Sequence, residues 1–317
     1  VTGPRGAVRP WDWVPAAAER RRIILVITNT SAGSAKADRV EAAMERLGGR
    51  AELSRCTGPA ELNASLDLGH DTVVSAGGDG SLHALANALH RRGELGTRTV
   101  GLLPMGTGND FARALGIPLD PVEAADTLLR GIVHRLDLIV DDTGEVTVNS
   151  LHFGVGAETT REARRWKRLL GPLSYPMGGL ITGWAARGYR LLVEADGATV
   201  IGPQHRSLMV ALANGANVGA GTAILDPTAR ADDGTINLVV SRSRGRLARL
   251  RYALHLYRGT QREADDVHHV HVHTVRVTGR ETPGSVDGEV KESLVGRTWR
   301  ILPGAWSFLV PEEYPGG

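Results

Sequence analysis

Residues 71–89 read DTVVSAGGDGSLHALANAL, and this stretch decides the fold. Asp71 to Ala76 is apolar and valine-containing, as a buried strand requires. Gly77 to Gly80 form a glycine loop, and Leu82, Leu85, Ala86 and Leu89 then recur at helical spacing. The same strand, loop and helix order appears on either side. Upstream, the apolar run Ile23 to Thr28 is followed by the loop Asn29 to Ser34. Val40, Ala43, Met44 and Leu47 mark a helix that stops at Gly48-Gly49. Downstream, Thr99 to Leu103 turns through Pro104 to Gly108 into a helix carrying Phe111, Ala112 and Leu115. Alternating strand and helix predict an α/β domain with a parallel sheet covered on both faces.

From about Asp137 the texture changes to short β-rich segments separated by Gly, Asp and Asn. These are Val146 to Val148, Tyr189 to Val193, Leu208 to Ala213, Ile236 to Val240 and Val270 to Val277. They predict an antiparallel, sandwich-like second domain. The expected division is an α/β domain over 1–140 and a β-rich domain over 141–317, with the extreme C-terminus free to pack back on the first. Arg246 to Tyr257 reads as a basic amphipathic helix with Leu247, Leu250, Leu254 and Tyr257 toward a core.

A chain of 317 residues is long enough for two domains at about 150 residues each. Its 37 Lys+Arg against 35 Asp+Glu leave a formal charge of +2, too little for the field of a dedicated nucleic-acid binder. Aromatic residues are 4%, too sparse for a platform that stacks bases. Cys56 is the sole cysteine, so an intrachain disulfide and a multi-cysteine zinc site are excluded, and a reducing compartment is expected. Val1 to Arg22 lack the apolar core of a signal peptide, and no stretch approaches the ~20 apolar residues that span a bilayer. The expectation is a cytoplasmic protein whose membrane contact is peripheral.

In a parallel sheet the loops after successive strands gather at the carboxyl edge, where helix N-termini and backbone N–H groups favour phosphate. Gly77-Gly78-Asp79-Gly80-Ser81 removes three Cβ atoms but keeps a carboxylate. Asp79 would repel phosphate unless it supported Mg²⁺ or took a proton from an incoming hydroxyl. Gly106-Thr107-Gly108-Asn109-Asp110 repeats the arrangement with Asp110. The ordinary reading of both aspartates is as helix N-caps. No G-x-x-x-x-G-K-[ST] occurs, and neither Gly106-Thr107-Gly108 nor Gly154-Val155-Gly156 has the third glycine of a dinucleotide fingerprint.

From about Ile23 to Pro311 the sequence resembles the diacylglycerol kinase catalytic-domain family, which includes bacterial lipid kinases and sphingosine and ceramide kinases. Pro104 to Arg113 matches that family's Pro-x-Gly-Thr-x-Asn-Asp-Phe-Ala-Arg at every position, and Gly77 to Ser81 matches Gly-Gly-Asp-Gly-Thr with serine for threonine. The first loop, Asn29-Thr30-Ser31-Ala32-Gly33, keeps Asn29 and Gly33 of Asn-Pro-x-Ser-Gly but has Thr30 for proline and Ala32 for serine. Asn149, Gly154 and Ala157, Asn214-Gly215, Gly219-Ala220-Gly221, Asp226 to Ala229, Asp232-Asp233-Gly234 and Asp287-Gly288-Glu289 follow in the family's order.

The resemblance implies transfer of the ATP γ-phosphoryl group to a lipid hydroxyl, with diacylglycerol the leading acceptor and Mg²⁺ required. It implies that Gly77, Gly78, Gly80 and Gly106 let the backbone approach phosphate. Asn29, Thr57, Ser81, Thr107 and Glu289 would complete the nucleotide site. Asp79 and Asp110 would support a magnesium shell, and Asp233, with the carbonyls of Arg230 and Thr235, a structural Mg²⁺. The general base would be Asp287 or Asp79, with Asp287 preferred. Partners implied are a lipid substrate at a membrane surface and no nucleic acid; a homodimer is compatible with the sequence. Two rivals stand beside this reading: a soluble NAD-kinase-like phosphotransferase, and a non-catalytic nucleotide- or lipid-binding regulator.

Other features have ordinary readings too. His268, His269, His271 and His273 read as a solvated strand face rather than a metal site. Arg161, Arg164, Arg165, Lys167 and Arg168 suit either an anionic ligand or a solvated helix. Gly171 to Ala186 is uncharged, as an acyl pocket, a bilayer contact or a core segment would be.

Overall fold

The computed structural model describes residues 23–29, 34–154, 188–219, 221–242, 245–260, 264 and 266–314. The helical tract expected at 159–168, the uncharged segment at 171–186, Ala157 and Ala220 lie outside the described residues.

The first part of the chain alternates strand and helix. It runs β1 (Ile24–Asn29), α1 (Ser34–Leu47), β2 (Ala51–Cys56), α2 (Pro59–Leu66), β3 (Thr72–Gly77), α3 (Asp79–Arg92), β4 (Thr99–Pro104), α4 (Asp110–Ala114) and α5 (Pro121–Arg130). The four strands are parallel in the order β2-β1-β3-β4. Their central residues, among them Leu25, Val26, Val73, Val74 and Leu103, are fully buried because helices cover the sheet.

The remaining strands are β5 (Ile132–Asp141), β6 (Val146–Thr147), β7 (Ser150–Gly154), β8 (Leu191–Ala195), β9 (Ala198–Ile201), β10 (Met209–Ala213), β11 (Asn217–Val218), β12 (Ala223–Ile224), β13 (Ile236–Ser241), β14 (Val267–Val272), β15 (Thr274–Gly279), β16 (Gly284–Val286), β17 (Glu289–Lys291) and β18 (Arg297–Val310), with helix α6 (Arg246–Arg258) before β14. Strands β14-β13-β10-β7-β16-β17 form an antiparallel sheet. Val210, Leu212, Leu238 and Phe153 on one face pack against Val193, Val275, Val277 and Trp299 of the larger sheet, which makes the sandwich.

The long β18 joins the two halves. Its end pairs in parallel with β4, its start pairs with β15, and β5 runs antiparallel along most of its length. The register shifts between Leu302 and Trp306, where Gly304 adopts φ +54°. The larger sheet therefore extends from β2 through β18 to β9, and the expected 140/141 division falls at the end of β5.

Two expectations need correction. Val270 to Val277 is not one strand: β14 and β15 lie in different sheets, and the chain changes sheets at His273. There the N–H groups of His273 and Thr274 both donate to the Asp196 carboxylate, and the break coincides with a one-residue slip in the valine alternation, from 270 and 272 to 275 and 277. In α6, Leu247, Leu254 and Tyr257 face solvent rather than a core, Tyr252 is buried, and the side chain of Leu250 lies outside those described.

Trp306, fully buried, has Phe308 at 4.9 Å and Phe111 of α4 at 6.0 Å between ring centroids. This aromatic cluster seats α4, and the loop ahead of it, on the sheet. Trp306→Ala is expected to cost about 3–5 kcal/mol of unfolding free energy, read from denaturant titration; a cost below about 1 kcal/mol would show that the cluster does not hold α4.

Candidate active site

Strands β2, β1, β3 and β4 end side by side, so Thr57, Asn29, Gly77–Ser81 and Gly106–Asp110 share the carboxyl edge of the parallel sheet. The two glycine loops touch through their backbones. A Cβ on Gly78 would lie 2.9 Å from the Gly106 Cα, and one on Gly106 would lie 2.5 Å from the Gly78 Cα. Side chains at either position would force the loops apart, so these glycines serve loop packing as well as open access. Asn109, at φ +52°, closes its own loop by accepting from the Gly106 N–H and donating to the Gly106 carbonyl. Gly78 is the N-cap of α3 and provides no side-chain cap, so the first turn of a 14-residue helix faces the shared edge with its positive end uncapped. Ser81 lies in that turn, and Thr107 is exposed.

Asp79 is the first residue of α3 and is half-buried; one of its oxygens accepts from the Phe111 N–H at 3.2 Å. Burial pushes its carboxyl up from the ordinary value against the pull of backbone N–H donors, and the nearby Asp287 charge adds to the rise.

Asp287 sits differently. Asp287-Gly288 is the two-residue turn between β16 and β17, with φ +46° and +82°, the conformation that favours Asp-Gly in tight hairpins. The turn buries the Asp287 side chain to 1% exposure. Its Oδ2 accepts from His83 Nδ1 at 2.8 Å and the Val148 N–H at 2.8 Å; its Oδ1 accepts from the N–H groups of Asn149 at 2.8 Å and Ser150 at 3.0 Å. Four donors occupy the two oxygens, so any proton Asp287 took from an acceptor would have to displace one of them. Glu289, two residues on, faces the glycine loop: a Cβ on Gly80 would lie 3.9 Å from its Oε1.

His83 projects from α3, one turn beyond Asp79, and completes a buried charge network that was not anticipated from sequence. Its Nε2 is 3.7 Å from Glu145, which also meets Lys291 Nζ at 2.8 Å and the Arg297 guanidinium at 3.3 Å. Asn87 Nδ2 is 3.2 Å from the same ring nitrogen, but its two hydrogens already go to the carbonyls of His83 and Val146. Nε2 therefore keeps its own proton. Although burial alone would lower it, bonding to Asp287 and Glu145 pushes the His83 imidazole up to about 10. The same contact with His83, reinforced by Lys291, draws Glu145 down to about 2. The signal in the sequence is Asp79, His83 and Asn87, a polar stripe at four-residue spacing among the leucines and alanines of the helix.

Other expected ligands are bonded within the protein. Asp110 accepts from the Gly221 N–H at 2.7 Å and so links α4 to the β11–β12 hairpin. The Thr57 N–H bonds Glu61. Asp233 accepts from the Thr235 N–H and hydroxyl and from the Arg230 N–H, so the amides of these residues face the carboxylate. Its neighbours are spent similarly: Asp137 takes the N–H groups of Gly234 and Gly304, and Asp232 pairs with Arg230 and His134. Among the described residues no group of three or more His, Cys, Asp or Glu is placed to hold a cation. Of the histidine run, His269 is buried near Asp226 rather than solvated.

Residues 23–140 match the model of the diacylglycerol kinase catalytic domain, and residues 149–310 match the YegS C-terminal NAD kinase beta sandwich-like domain. The chain belongs to this two-domain family of lipid kinases. It is 30% identical to the "Diacylglycerol kinase" of Bacillus subtilis (strain 168), across 74% of this chain and 73% of that protein. It is 36% identical to a "Probable lipid kinase YegS-like" of Stenotrophomonas maltophilia (strain K279a), over 56% of this chain and 58% of that protein. A crystal structure of a diacylglycerol kinase from Bacillus anthracis str. Sterne superposes with a TM-score of 0.68 at 19% identity, covering 92% of this chain and 98% of that one, so the fold is shared.

The charge network has a pH signature. His83 lies above its ordinary value of 6.5, so its contribution is complete below about pH 6.5 and is lost as pH rises through about 10. Glu145 lies below its ordinary 4.5, so its contribution is complete above about pH 4.5 and is lost as pH falls toward about 2. Unfolding free energy is expected to decline between about pH 6.5 and 10, and His83→Gln to remove most of that slope. A profile with the same slope in the variant would place the titration elsewhere.

Proposed function

We propose that the protein transfers the γ-phosphoryl group of ATP to the hydroxyl of a membrane lipid, with diacylglycerol as acceptor and phosphatidic acid as product. The observation that carries this reading is Asp79: a half-buried carboxylate with raised basicity at the uncapped N-terminus of α3, between two glycine loops pressed together. Phosphate would lie on the N–H groups of the Gly77–Ser81 and Gly106–Thr107 loops, with Asn29, Thr57 and Glu289 around it. Magnesium, when bound with the nucleotide, would supply charge neutralisation of its phosphates and would be held chiefly by those phosphates and water.

In this reading Asp79, whose basicity burial raises, accepts the proton of the attacking hydroxyl, in preference to Asp287, whose oxygens hold four donors. Asp287 acts through its anchored charge: it holds His83 and the hairpin that carries Glu289 against the glycine loop. The names of the relatives support a lipid acceptor. The description of the second domain as NAD kinase-like supports the rival soluble acceptor, NAD.

The test is transfer of label from ATP, with magnesium, to diacylglycerol in mixed micelles and to NAD. Labelled phosphatidic acid is expected. Labelled NAD with unlabelled lipid would overturn the acceptor. Asp79→Asn is expected to lower kcat by about 10²–10⁴-fold in a folded protein; undiminished turnover would remove Asp79 as the base.

A further inference from the structure

No helix among the described residues is long and apolar enough to cross a membrane. A lipid acceptor would therefore be met at a surface, and α6 offers one. Its sequence, RLARLRYALHLYR, contains no acidic residue. Tyr252 packs onto the outer face of the antiparallel sheet beside Ala211, Ala213 and Val239. The opposite side is open, with Leu247 84%, Tyr257 70% and Leu254 46% exposed. On a helical wheel Leu247, Leu254, Arg251 and Arg258 fall within an arc of about 60°, with Tyr257 on its flank. Both arginines are exposed. Large apolar side chains interleaved with cations on the solvent side of a packed helix are the pattern of an interfacial helix, not of a solvated one.

We propose that this face of α6 rests on an anionic lipid bilayer, with Leu247, Leu254 and Tyr257 in the interfacial layer and Arg251 and Arg258 on lipid phosphates. The proposal deepens the lipid-kinase reading and rests on it. Charge selects the occupant: a second copy meeting this face through its own α6 would set arginine against arginine with no acidic residue on either helix, whereas lipid phosphates are complementary. The position suits the chemistry. Gly259 at the end of α6 packs on Ile224 of β12, with 3.1 Å between a Cβ built there and the Ile224 Cδ1. The β11–β12 hairpin then presents the Gly221 N–H to Asp110. One hairpin thus separates the proposed bilayer contact from the phosphate-side loops.

The experiment is co-sedimentation of the full chain with vesicles of phosphatidylcholine, with and without phosphatidylglycerol, alongside turnover on a short-chain, water-soluble diacylglycerol. Binding is expected on the anionic vesicles and should weaken with salt. Leu247→Ser/Leu254→Ser and Arg251→Glu/Arg258→Glu should each reduce partitioning at least about tenfold while leaving short-chain turnover unchanged. Vesicle binding that is absent in the wild type, or unaffected in both variants, overturns the proposal. So does a loss of self-association in the variants with no vesicle binding by the wild type, which would make the face a contact between copies. If no short-chain lipid is phosphorylated, the kinase reading fails, while the vesicle result still decides this one.

Discussion

The carboxylate of Asp287 is the point at which the two halves of the molecule are tied. A two-residue turn with both φ angles positive carries it into the interior, where it meets three consecutive backbone N–H groups, of Val148, Asn149 and Ser150, and the imidazole of His83. The amides belong to the strand connection entering the antiparallel sheet, and the imidazole belongs to the helix that follows the glycine loop. An anion removed from water in this way is tolerable only because every lone-pair direction is answered and a cation lies beside it. The consequence reaches the chemistry through position: α3, which presents Asp79, cannot shift relative to the hairpin bearing Glu289 without breaking the set.

The remaining motif residues act in the same manner. Asn214 Nδ2 donates to the carbonyls of Asp137 and Val148, Asn149 Nδ2 donates to the Asn217 carbonyl, and Asp110 takes the Gly221 N–H. These motif side chains are bonds that hold the second sheet to the nucleotide-side loops and to the strands beside them. At the edge itself, Asp79 is a carboxylate whose basicity burial raises.

The parallel strands and their helices were legible because each presents a single period: an apolar run, a glycine break, then leucines three and four apart. The same rule failed where one period spans two structures. Val270 to Val277 has β-type alternation on both sides of His273-Thr274, where the valines slip by one position as the chain changes sheets, and the pattern of α6 shows its amphipathicity but not which face is covered. Neither β5 nor β18 was anticipated, since their partners are remote in sequence and only the closed sheet shows why they are buried. The loops of the site were readable as glycine-plus-aspartate signatures. The partition of roles between Asp79 and Asp287 was not, because it depends on how many donors reach each carboxylate, and those donors come from residues up to 204 positions away.

Asp287 serves as a buried structural anion, and the unfolding free energy of Asp287→Asn tests that role most directly. Replacing one oxygen by an NH₂ group leaves the His83 cation without its partner and sets a donor against backbone donors. A loss of about 3–5 kcal/mol by denaturant titration at neutral pH is predicted. A variant as stable as the wild type but devoid of phosphoryl transfer would contradict the account and return the proton to Asp287.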